Sequence, residues 1–192
     1  MGKGRLEAFS DGVIAVIITI MVLEMHAPHA PTFRALLEVG PVFGCYVLSF
    51  VYLGIYWNNH HHLLHVTGHI NGGILWANLH LLFWLSLVPF VTSWMAQNQF
   101  AAVPTAMYGF VLLMAALAYW NLQRAILTLQ GKDSLLARAL GNDLKGKLSP
   151  VVYLIAIASV LVSPWIAAAL YAVVALAWLV PDRRIEKFAL HQ

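Results

Sequence analysis

Residues 5–24 read Arg-Leu-Glu-Ala-Phe-Ser-Asp-Gly-Val-Ile-Ala-Val-Ile-Ile-Thr-Ile-Met-Val-Leu-Glu. Past its first few residues the stretch is apolar, and it is as long as a membrane-crossing helix, which needs about 20 residues. It carries Phe9-Ser10-Asp11 near its start and a single Thr19 at mid-depth. An Asp at the centre of a membrane helix costs about 2.5–3.5 kcal/mol on insertion scales. A carboxylate in such a segment therefore needs a partner, and the search for function begins at Asp11.

The rest of the chain points the same way. Of 192 residues, 61% are hydrophobic and 10% are charged. Soluble domains average about 25% charged residues. So few charges cannot cover a globular surface, and lipid must be the solvent for most of the chain. The length accommodates six spans of about 20 residues with short loops. It leaves no room for a separate soluble domain, so residues 1–192 read as one six-helix transmembrane domain of the all-α class. The net charge of +3 does not imply a nucleic-acid partner, because the basic residues sit in loops beside apolar spans. Cys45 is the only cysteine. It lies in an apolar run and reads as a small core hydrophobe. Lys3 and Arg5 before an apolar run resemble a signal peptide, but Glu7 and Asp11 interrupt the early region, so a retained first helix is expected.

Six apolar segments fall near 6–25, 36–60, 71–96, 104–129, 147–163 and 165–181. Pro28 and Pro31 punctuate the first loop, and Gly68 to Gly73 forms the second turn. Pro104 suits the first turn of the fourth helix, and Ser163-Pro164 joins the last two segments in a tight hairpin. Gly131 to Gly146 is the longest polar stretch. Leu135, Leu136, Ala139 and Leu140 recur in it at helical spacing, as in a short amphipathic connector on the membrane surface. Lys3 and Arg5, then Arg124, Lys132, Arg138, Lys145 and Lys147, then Arg183, Arg184 and Lys187 fall on one side of a six-span topology, and Arg34 alone falls on the other. The bias puts both termini in the cytoplasm of a multi-pass protein of the cell (inner) membrane.

On a wheel of 100° per residue, Gly12, Val16, Thr19 and Leu23 fall on one narrow stripe, with Ile20 and Phe9 beside it. Ser10 and Asp11 point away. Taken alone, Ser10 as N-cap and Asp11 in the first turn would suit an ordinary helix start. The other segments suggest more. His60 and His61 lie near the cytoplasmic end of segment two, and Trp76 and Asn78 near the start of segment three, at the depth of Asp11. A polar cluster of Arg5, Ser10, Asp11, His60, Trp76 and Asn78 is expected inside the subunit, next to Phe9. Its hydrogen bonds, worth about 0.6–2 kcal/mol each, would fix the rotation of helix one and turn the Val16–Leu23 ladder outward.

An Arg four residues before Phe9-Ser10-Asp11, followed by an aliphatic helix with one Thr, resembles the signature of the endo-lysosomal potassium channel family (transmembrane protein 175) in its six-helix prokaryotic form. Tyr56-Trp57-Asn58-Asn59-His60-His61 is similar to the family's Trp-x-x-His pattern. Leu75-Trp76-Ala77-Asn78-Leu79, followed eleven residues past Asn78 by Pro89-Phe90, extends the match over the first half of the chain. The resemblance implies a homotetramer in the lipid bilayer, with helix one of each copy lining a central pore. It also implies a moderately selective potassium channel with potassium as permeant ion, no cofactor and no enzymatic activity. Carried over by position, Val16 takes the narrowest level, Thr19 the threonine layer and Leu23 the outer ring, with Ile20 alongside. Val16 is smaller than the Ile or Leu usual in the family, so Val16 and Leu23 are both candidates for the tightest ring. The chain has no Thr-Val-Gly-Tyr-Gly loop and no Arg-rich voltage sensor, in keeping with a hydrophobic constriction that gates by dewetting.

Nine histidines are many for so apolar a chain. His61, His65 and His69 would share one face if the second helix ran that far, at spacing that could ligate a metal. Solvated imidazoles are the simpler reading, pH sensing ranks below it and a metal site last, so no metal is expected. His80 is expected to bond between helices. Glu24 is either a solvated helix end or a cation-concentrating group at the outer mouth. The rival function is a proton- or cation-coupled secondary transporter using Asp11 and His60 as a relay. It predicts broken helices and an inverted repeat, neither visible in the sequence. A metal exporter would need ligands where mid-depth positions are aliphatic, and no nucleophile–base pair suggests an enzyme.

Overall fold

The computed structural model describes residues 2–131 and 144–179. Lys132, Arg138, the connector residues Leu135, Leu136, Ala139 and Leu140, and the basic residues Arg183, Arg184 and Lys187 lie outside that set. The described residues form helices α1 (Lys3–Leu23), α2 (Phe33–Glu38), α3 (Gly40–His65), α4 (Gly72–Ser86), α5 (Val88–Gln97), α6 (Ala102–Gln130), α7 (Leu144–Ser159) and α8 (Pro164–Leu179). Four stretches are long and apolar enough to cross a membrane: Lys3–Leu23, Gly40–His65, Gly72–Gln97 and Ala102–Gln130. With α7 and α8 they account for the six segments read from the sequence.

Three departures from that reading have local causes. α1 starts at Lys3 with Gly2 as its N-cap, so Ser10 lies well inside the helix and caps nothing. The second segment is preceded by the short α2, which starts where the Thr32 hydroxyl accepts the Ala35 N–H at 3.2 Å. The third segment breaks at Leu87 into α4 and α5. Pro89 has no N–H to offer the Leu85 carbonyl, and its ring crowds the preceding turn. The Leu87 N–H bonds back to Trp84 at 3.2 Å instead.

α6 is the central stave, packed against α4, α5, α7 and α8, while α1 packs on α3, α4 and α5. Membrane helices gain little from the hydrophobic effect and associate through packing and hydrogen bonds. Both are evident around α6. Gly109 makes room for Tyr171: a Cβ there would occupy the space of the Tyr171 ring and hydroxyl. That hydroxyl donates to the Thr105 carbonyl at 3.1 Å, and the Tyr52 hydroxyl donates to the Tyr171 carbonyl at 2.6 Å. Ser49 bridges the Thr92 hydroxyl at 2.7 Å and the Tyr108 hydroxyl at 3.0 Å, joining α3, α5 and α6. At one end of the bundle the Lys3 ammonium donates to the His65 carbonyl at 2.6 Å, at the negative end of the α3 dipole.

Candidate functional site

α1 has two faces. Leu6, Ser10, Ile14, Ile17 and Met21 are buried, at the i, i+4, i+8, i+11, i+15 spacing of one helical stripe. On the opposite side Val16 is 55% exposed, Ile20 41% and Leu23 78%, and Thr19 is exposed too. Such an aliphatic face on a helix whose other face is locked in place is free to meet lipid, a partner or an aqueous path. Phe9, Gly12, Val16 and Ile20 also line an open groove of about 1000 Å³, together with Pro89, Phe90 and Trp94 of α5.

The lock is a chain of hydrogen bonds across α1, α3 and α4. The Ser10 hydroxyl donates to the Leu6 carbonyl at 2.9 Å. Its oxygen accepts the Asn78 amide at 3.0 Å, and the Asn78 carbonyl oxygen pairs with His60 Nε2 at 2.7 Å. With the serine proton directed at Leu6 and the amide NH2 at Ser10, the sequence of donors is consistent only if His60 carries its proton on Nε2. All three side chains are buried, so each polar atom depends on its neighbour.

Asp11 is not part of this chain. Its Oδ1 accepts the Trp57 indole N–H at 3.0 Å, giving the carboxylate the partner that its position requires. Sequence reasoning quoted Trp57 only as part of a motif, although the spacing Trp57-x-x-His60 puts both on the α3 face that meets α1. Arg5, Phe9 and Trp76 are exposed, Trp76 at 75%, and stand outside the network.

Thr19 has a particular geometry. Its hydroxyl donates to the Val16 carbonyl one turn back, at 2.9 Å. The proton is thereby directed into the helix, and the oxygen lone pairs remain available on the exposed side. At the end of α1, the Ser93 hydroxyl donates to Glu24 Oε2 at 3.2 Å, and the Gln97 amide donates to Ser93 at 2.7 Å. Glu24 is thus tied to α5.

The histidines separate. α3 ends at His65, so His69 leaves the helical face. His61 stacks between Trp57 and His65, with ring centroids 6.2 Å from each. Among the described residues no group of three or more His, Cys, Asp or Glu side chains is placed to hold a metal ion. His80 accepts the Trp84 indole N–H at 2.9 Å within its own helix, rather than bonding between helices. Cys45 is a buried free thiol.

The described residues form an all-α, multi-pass membrane bundle whose first helix carries a locked polar face and an uncovered aliphatic face with one oriented hydroxyl. The family described as endosomal/lysosomal potassium channel TMEM175 matches residues 5–89. A potassium channel of Chryseobacterium sp. (strain P1-3) is 51% identical over 97% of both chains, and the chain belongs to the TMEM175 family. The crystal structure of a lysosomal potassium-selective channel TMEM175 homologue from Chamaesiphon minutus superposes with a TM-score of 0.83, at 26% identity, covering 94% of this chain and 97% of that one. The endosomal/lysosomal proton channel TMEM175 of Danio rerio is 39% identical over 35% of this chain, which corresponds to 15% of that longer protein.

Proposed function

We propose that this chain is the subunit of a homotetrameric potassium channel of the cell membrane, with both termini cytoplasmic and residues 1–192 acting as one channel-forming unit. In this reading α1 of each copy faces the symmetry axis. Val16, Ile20 and Leu23 form aliphatic rings, and Thr19 forms an oxygen layer between them. The carrying observation is the orientation of α1. Ser10, Asn78 and His60 hold one face inward, which leaves Val16, Thr19, Ile20 and Leu23 uncovered together. The groove beside them, lined also by Phe90 and Trp94, provides apolar surface where a neighbouring copy would seat. The potassium channels named among the relatives support the choice of ion.

Rings of aliphatic side chains exclude water when narrow, and an ion cannot then shed its hydration shell at tolerable cost. When the rings part, the Thr19 oxygens, with their protons already directed at Val16, can replace part of that shell. Few protein oxygens take part, so selectivity is moderate. Glu24, held by Ser93, raises the local cation concentration at the outer mouth. No cofactor enters this mechanism, and the polar cluster acts as an anchor.

The test is cation flux in liposomes under potassium and sodium gradients. Thr19→Val keeps the shape and removes the oxygen, so the potassium preference should fall several-fold toward none at normal expression. Ile18→Ala, on the partly buried side, should leave the preference intact. Full selectivity in Thr19→Val, together with loss in Ile18→Ala, would mean that another face of α1 lines the pore. A stable monomer or dimer by native mass measurement would refute the tetramer.

A further inference from the structure

His61 and His65, at the end of α3, take no part in the lock or in the uncovered face of α1. Both are exposed. Residues at i and i+4 sit on one face of a helix, and here the two rings lie nearly parallel, with planes 24° apart and centroids 6.2 Å from each other. Neither imidazole makes a hydrogen bond to a described residue, so their ring nitrogens are open to a ligand from outside.

α1 runs antiparallel to this stretch of α3, and two contacts fix the register. The Lys3 ammonium reaches the His65 carbonyl at 2.6 Å, and Asp11 accepts the Trp57 indole N–H at 3.0 Å. From Lys3 forward to Asp11 and from His65 back to Trp57 the count is the same, eight residues. The residue midway on α1, Glu7, therefore falls opposite His61. Glu7, Asp11 and His61 all act electrostatically on the buried His60 ring, as that register requires. Glu7 is half-buried, and its carboxylate has no hydrogen bond or ion pair to a described residue. Arg5 lies about 200° around α1 from Lys3 and faces away. The described charges on this side of α1 are thus one ammonium and two carboxylates, a field that favours a cation.

Two imidazoles one turn apart, with a carboxylate across from them, are a ligand set for a divalent transition metal. Imidazole suits zinc, nickel and copper, whereas magnesium and calcium take oxygen ligands. Zinc proteins use the same pair of His at i and i+4 on one helix face. Among the described residues no three such groups already surround one point, so this is not a closed structural site. A metal would assemble it, with water in the rest of the shell.

We propose that His61, His65 and Glu7 form an exchangeable site for a divalent transition metal such as zinc, bridging the start of α1 and the end of α3. The site lies within one copy of the chain and apart from the face that carries Thr19. Once filled, it adds a second tie beside the Lys3–His65 contact.

The experiment uses the full-length protein in mild detergent, stripped of metal by a chelator and titrated with zinc in a calorimeter. The unfolding temperature is read alongside. Wild type should bind one zinc per chain and unfold at a higher temperature with it, because the ligands are held together only while the helices are folded. His61→Gln and His65→Gln should each abolish saturable binding. Glu7→Gln should weaken it about tenfold. His69→Gln and His29→Gln, off this helical face, should bind as wild type does, and magnesium should give neither heat nor shift. Absence of saturable binding in wild type would overturn the proposal. So would binding that survives both His61→Gln and His65→Gln, binding removed by His69→Gln or His29→Gln, or an equal shift with magnesium. An affinity unchanged in Glu7→Gln would refute the bridge to α1. Should one of the two α3 histidine variants fail to fold, the other decides.

Discussion

Asn78→Leu is the sharpest probe of how α1 is held. Asn78 is fully buried and is the middle link between Ser10 and His60. Leucine has similar volume, so packing is kept while both polar contacts go. His60, 1% exposed, then has a ring nitrogen with no partner, which costs about 1–3 kcal/mol. Ser10 loses one bond but still donates to Leu6, so only the interhelical term is lost, about 0.6 kcal/mol in membrane proteins. The sum is about 1.5–3.5 kcal/mol of destabilisation. Replacing both partners of a buried pair with apolar groups leaves no orphan. The double variant Asn78→Leu/His60→Leu should therefore lose less than the two single variants added together, by about 1 kcal/mol or more. Reversible unfolding in mixed detergent micelles measures all three. Asn78→Leu within about 0.5 kcal/mol of wild type, or single effects that add within about 0.5 kcal/mol, would refute the idea that this chain of bonds anchors α1.

Other expectations follow from individual contacts. Trp57→Phe removes the indole N–H from Asp11; Trp57 is 46% exposed, so the unfolding assay should register a loss smaller than that of Asn78→Leu, and a larger one would make Asp11 the main anchor. Val16→Ala or Leu23→Ala widens an apolar ring, which is then easier to wet; liposome flux should rise at rest with little change in potassium preference, and the larger rise marks the tighter ring. Gly109→Ala drives a methyl group into Tyr171, and overpacking of this kind costs about 1–3 kcal/mol; a lower unfolding temperature is expected, partly restored by Tyr171→Phe, which withdraws the hydroxyl.

The spans were legible in the sequence because hydrocarbon thickness fixes their length, and Pro, Gly and polar residues mark their ends. The two faces of α1 were legible because 100° per residue needs no knowledge of neighbours. The break at Leu87 was signalled by Pro89 yet passed over within a continuous apolar run, because hydropathy is blind to a missing N–H. The polar cluster was read from depth, and depth says nothing about direction around the helix axis. Trp76 and Asn78 share a depth, but two residues apart they point about 200° from each other. Once Asn78 faces Ser10 and His60, Trp76 must face outward, and it is 75% exposed. Arg5 and Ser10 are separated by about 140° on the same count, and Arg5 stays outside as well. The partnership of Asp11 with Trp57 lay beyond such counting, because it depends on how α3 is turned about its own axis. That rotation is fixed by His60 meeting Asn78 on a third helix. The azimuth of each helix in this bundle is therefore a property of the set, and the rotation that uncovers Thr19 is held by residues on α3 and α4 as much as by α1 itself.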